Sequence, residues 1–115
     1  MGRMKLSVSS YFFISTFLIL LFFHTRGVII HDEGYVLNSA HNILSGLTLY
    51  KDFHFSYTPG SVYLVSLFFS LFGESVLSSR ILMVLLSFGS VILIYSLTKQ
   101  ITKRNIYGYI SAVLF

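Results

Sequence analysis

Long apolar runs alternate with short polar breaks along this chain, and the breaks set its organisation. Residues 6–23 hold Ser and Thr but no charge, and about 17–25 apolar residues suffice for a helix to cross a bilayer. The pattern returns at 60–73, at 81–97 and, cut short, at 106–115. It predicts an all-α fold: a polytopic membrane helix bundle of three spans plus a truncated fourth. The 60–73 run is short for a crossing; it becomes adequate if residues 55–58 dip into the interface or the bilayer thins locally. Pro59 opens it at a position where the missing N–H costs least. In the third run, Ser87, Gly89 and Ser90 are candidates for close helix contact.

The first run is followed by His24-Thr25-Arg26. A secretory signal would need a small-residue cleavage site there, so an uncleaved first span is expected. Residues 24–59 then form a loop in which 31–59 is the one long polar interval, with three of the four acids (Asp32, Glu33, Asp52) and three of the four histidines (His31, His41, His54). Within it Val36, Ala40, Ile43, Leu44 and Leu47 recur on one helical face. Asp32 suits the N-cap of this helix, Glu33 its positive first turn, and Gly46 its C-terminal stop. Such an amphipathic helix is expected to lie in the interface plane, in the first extracytoplasmic loop. Residues 47–58 have no helical period and predict an extended loop.

Composition strengthens the membrane reading. Of the 115 residues 55% are hydrophobic and only 10% charged, with a mean hydropathy of +0.79. Soluble domains carry about 25% charged residues, so these charges could not cover a globular surface. Twelve Phe suit hydrocarbon and eight Tyr suit the headgroup level. With no Cys, disulfides and thiolate metal sites are excluded. The +4 net charge points to loops facing anionic lipid, with no nucleic-acid partner expected.

Charge placement raises a conflict. Arg3 and Lys5 put the N-terminus in the cytoplasm, but three plain crossings would then carry Lys99, Lys103 and Arg104 outside, against the positive-inside rule. Either the second and third runs are not both full crossings, or the first helix dominates.

Several motifs in order resemble a known family: Asp32-Glu33 just past a first span, a helix reaching Gly46, Leu49-Tyr50-Lys51-Asp52, Tyr57-Thr58-Pro59-Gly60, Leu71-Phe72-Gly73-Glu74-Ser75, and Ser79-Arg80-Ile81-Leu82. The set is similar to the N-terminus of the GT-C membrane glycosyltransferases, in the protein-mannosyltransferase and aminoarabinose-transferase group. It covers nearly the whole chain and would cover about the first quarter of such an enzyme. The resemblance implies a glycosyltransferase fragment, 1–115, that moves a sugar from a polyprenyl-phosphate donor to a hydroxyl acceptor on the extracytoplasmic side, in a multi-pass protein of the cell membrane. It places Asp32 as the catalytic base with Glu33 beside it. Tyr57, Asp52 and Arg80 become candidate substrate-binding residues. Family members often carry a basic residue before the loop proline to contact the donor phosphate; here that position is Thr58.

Glycosyl transfer to a hydroxyl needs a base for its proton, and partial desolvation at a membrane interface would strengthen a carboxylate in that role. The leaving phosphate needs cations, for which Lys51, Arg26 and Arg80 are at hand. A single direct displacement would invert the anomeric carbon. The blander readings are Asp32 as a helix cap, Glu33 as a partner of the helix dipole, Asp52 as a turn former, and Tyr50 and Tyr57 as interface anchors. The histidine spacings of ten and thirteen match no compact metal motif, and no cofactor loop is present. A non-enzymatic membrane protein or accessory subunit is the alternative function. A transporter fragment would carry acids inside its spans, and these runs have none.

Overall fold

The computed structural model describes residues 7–24 and 30–115. Arg3, Lys5 and Arg26 lie outside the described residues, as does the side chain of His31. Among the described residues five helices follow one another: α1 (Val8–His24), α2 (Ile30–Leu44), α3 (Pro59–Phe72), α4 (Val76–Thr102) and α5 (Asn105–Leu114). Among the described residues there is no strand. One helix among them, α4, is long and apolar enough to cross a membrane; α1 and α3 are apolar but shorter.

The element bounds differ from expectation in instructive ways. Asp32 is not the cap of α2 but lies within its first turn, next to Glu33, where negative charge complements the positive helix end. Gly46 does stop α2, at φ +89°. The Gly46 N–H donates to the carbonyl of Ile43 and the Leu47 N–H to that of Asn42, the paired closure that needs a left-handed residue between. The polar break between the 60–73 and 81–97 runs shrinks to residues 73–75. Ser75 Oγ accepts the Ser78 N–H at 3.0 Å, capping α4 early and placing Arg80 inside the helix. The loop expected to be extended over 47–58 folds back on itself over 48–53: Asp52 Oδ2 accepts the Thr48 N–H at 2.7 Å, and the Tyr50 N–H donates to the Phe53 carbonyl. These bonds fold the segment into a closed turn.

The chain divides into two compact units. In one, residues 23–83, α2 packs along α3 over a core of Ala40, Leu49, Phe55, Val62, Val65, Phe69 and Leu82. The α3 contribution repeats at i, i+3 and i+7, one helical face. Val36 and Ile43, expected on the apolar face of α2, pack against this core, whereas Leu44 and Leu47 stay exposed. The other unit joins α1 to α5 and the later part of α4 around Val91, Tyr95 and Ala112. There Ser9 Oγ and Tyr109 Oη lie 2.6 Å apart, and the Tyr95 and Tyr109 rings meet at 5.0 Å. α5 can approach because residue 108 is glycine: a Cβ there would meet the Tyr95 ring at 2.8 Å.

Candidate functional site

The 23–83 unit contains all four acids of the chain. Adjacent in sequence, Asp32 and Glu33 project in different directions around α2, and their surroundings separate them. Glu33 is half-buried and forked by Arg80: Nε donates to Oε1 at 2.8 Å and an Nη to Oε2 at 2.9 Å. The hydrogen bond from Arg80 holds the Glu33 carboxyl below its ordinary range, against a smaller opposing push from burial. Both oxygens of Glu33 are therefore engaged, and the pair ties α2 to the start of α4.

Asp32 is exposed and accepts one hydrogen bond, from Tyr57 Oη to Oδ1 at 3.2 Å. This bond raises the Tyr57 pKa above its ordinary 10, so the phenol stays a donor at neutral pH. Tyr57 is positioned from beneath. The Phe55 ring, 2% exposed, meets it edge-on at 5.7 Å and stacks on Tyr35 at 5.3 Å. Tyr35 Oη accepts the Ser56 N–H at 3.0 Å and donates to the His54 carbonyl at 3.2 Å. A single α2 side chain thus pins the segment leading into α3. Tyr50, beside Tyr57, holds φ +64°, a strained conformation for an aromatic residue, and its hydroxyl reaches the Tyr57 carbonyl at 3.5 Å.

The structure brings Asp32, Tyr57, Glu33 and Arg80 into one region of this unit as two separate pairs, Asp32 with Tyr57 and Glu33 with Arg80. Asp52 closes the loop turn with Oδ2, and Lys51 is exposed on the same turn. Sequence reasoning missed Glu74, whose Oε2 meets His41 Nδ1 at 2.6 Å. The two are 33 positions apart, and no local pattern links them. Ser45 Oγ lies 3.4 Å from the other nitrogen of His41, which gives the order of a nucleophile, base and acid. Acyl transfer would also need N–H donors for an oxyanion, but the N–H groups of Ser45, Gly46 and Leu47 all donate to α2 carbonyls. The C-terminal end of a helix repels negative charge besides. Among the described residues no three of His, Asp and Glu gather as a metal site. In the other unit, an apolar groove of about 350 Å³ lined by Thr16, Leu20, Ser87, Val91 and Val113 offers no ionisable group.

Stability should report the Glu33–Arg80 contact through pH. The folded pKa of Glu33 is depressed, so its contribution is complete above the ordinary value of 4.5 and disappears as pH falls through the lower folded value. Thermal unfolding in detergent should therefore show a melting temperature that drops below pH 4.5. Glu33→Gln should lower the melting temperature at pH 7 and flatten that acid limb. An unchanged limb would assign the acid sensitivity to other carboxylates.

Compared with protein-family models, with curated proteins and with solved structures, the chain matches none.

Proposed function

We propose that this chain carries the base-bearing loop of a membrane glycosyltransferase, moving a sugar from a polyprenyl-phosphate donor to a hydroxyl acceptor at the extracytoplasmic surface of a multi-pass cell-membrane protein. The observation that carries the reading is the division of labour between two neighbouring carboxylates. Glu33 is locked by Arg80, while Asp32 is exposed and oriented by a single phenol. A base must be both reachable and held, and of the two only Asp32 keeps an exposed oxygen that no side chain among the described residues engages.

In the reaction, the acceptor oxygen attacks C1 of the sugar and its proton passes to an oxygen of Asp32. The C1–O bond to phosphate breaks, and polyprenyl phosphate leaves with the electron pair. Lys51 is an exposed cation on this loop, suited to the phosphate charge. Arg80 supports the site through Glu33, as a positioning residue.

Transfer of labelled sugar from a polyprenyl-phosphate donor, assayed in membranes with the wild type and with Asp32→Asn, tests the reading; turnover that survives Asp32→Asn overturns it. Tyr57→Phe keeps the ring and removes the hydroxyl. Hydrogen bonds to charged groups contribute about 1.5–3 kcal/mol, so this variant should lose roughly tenfold or more in kcat with little change in KM. An equal loss from Tyr57→Phe and Tyr57→Ala would still credit the hydroxyl; a loss only with Ala would credit the ring.

A further inference from the structure

The two ends of α3 are attached to the same helix. Before α3, Tyr57 bonds Asp32 at the start of α2; after it, Glu74 bonds His41 near the end of α2. The two helices consequently run side by side in the same direction, with Val62, Val65 and Phe69 buried in their common core. α2 presents Asp32, Asn38 and His41 to solvent, and Ser45 follows them just past its end. Asp32 and His41 are nine residues apart, about 14 Å along the helix axis. If α3 crossed a bilayer, α2 would be drawn through hydrocarbon with it, exposed polar face included. Intramembrane acids face a bundle interior or a water-filled cavity, whereas these face outward. The length of α3 agrees: 14 residues rise about 21 Å, short of the roughly 30 Å of hydrocarbon. α4, with 27 residues, is long enough.

From this we infer that α3 does not cross the membrane but is a second interfacial helix, with both of its ends on the same side of the bilayer as α2. Its exposed face (Tyr63, Leu64, Leu67, Leu71 and Phe72) carries no charge, and its occupant is the acyl-chain region of the adjoining leaflet. An amphipathic pair with water on the α2 side and lipid on the α3 side meets the interface as such helices do. The crossings are then α1 and α4. Two crossings return Lys99, Lys103 and Arg104 to the side of Arg3 and Lys5, so all five cations obey the positive-inside rule that three crossings violate. The inference rests on α4 crossing and is independent of any catalytic role for Asp32.

The chain lacks both Cys and Trp, so single substitutions report cleanly. Ser56→Cys, Ser75→Cys and Gln100→Cys would be probed with an impermeant maleimide in sealed cells, with permeabilised cells as the control for reactivity. Ser56 and Ser75 should label from outside and Gln100 only after permeabilisation. Labelling of Ser75 together with Gln100 and opposite to Ser56 would make α3 a crossing and overturn the inference; labelling of all three from one side would remove the crossing by α4 and overturn it too. In proteoliposomes of brominated phosphatidylcholine, Leu67→Trp should lose most of its fluorescence and Asn38→Trp little. An unquenched Leu67→Trp would mean that protein, not lipid, covers this face.

Discussion

Asp32→Asn should reduce transfer from a lipid-linked sugar by about 10²- to 10⁴-fold in kcat, the usual contribution of a positioned base. That loss corresponds to about 3–5 kcal/mol of barrier. Because the base acts on the acceptor proton as the bond forms, donor KM should barely move. The variant should also fold: an amide oxygen at residue 32 can still accept the Tyr57 hydroxyl, so the contact seen at 3.2 Å survives. Glu33→Gln makes the informative contrast. It disturbs the contact with Arg80, so it should lower the melting temperature while leaving more turnover than Asp32→Asn does. If both variants lost the same activity with the same loss of stability, the two acids would be a structural pair and the chain would fit the non-enzymatic membrane subunit better.

Phe55→Ala should be the most destabilising single change in the loop. The ring is 2% exposed, stacks on Tyr35 with the planes 15° apart and supports Tyr57 from its edge. Burying a phenyl ring and then deleting it costs about 3–5 kcal/mol where the surroundings cannot collapse. Collapse is hindered here because Tyr35 is anchored by its hydroxyl to the backbone of His54 and Ser56. Thermal unfolding in detergent measures the loss, and limited proteolysis should cut residues 47–58 of the variant faster than those of the wild type. Phe55→Leu, which leaves a smaller void, should lose less. A cost below about 1 kcal/mol for Phe55→Ala would show that this aromatic cluster does not hold the loop.

Much of the local architecture was legible in residue order. The apolar face of α2, the stop at Gly46 and the start of α3 at Pro59 each follow from a local rule. Periodicity exposes a face, a left-handed position selects glycine, and a first turn tolerates proline. Even Asp52 as a turn former could be read from its loop setting, because its partner Thr48 is four residues away. The early start of α4 was less visible. A serine cap looks like any serine, and the charges at Glu74 and Arg80 suggested a break where a helix had already begun.

By itself the sequence determined the helical, strongly apolar character of this protein and the loop in which its acids gather, because spacing and composition are properties of neighbours. Only the tertiary structure decided which carboxylate is left exposed and how α3 is held. Glu33 meets Arg80 across 47 positions and His41 meets Glu74 across 33, and contacts closed over such distances are set by how helices pack. An apolar run of fourteen residues has the same composition whether it pierces a bilayer or lies along it; the partners fixed at its two ends make the difference.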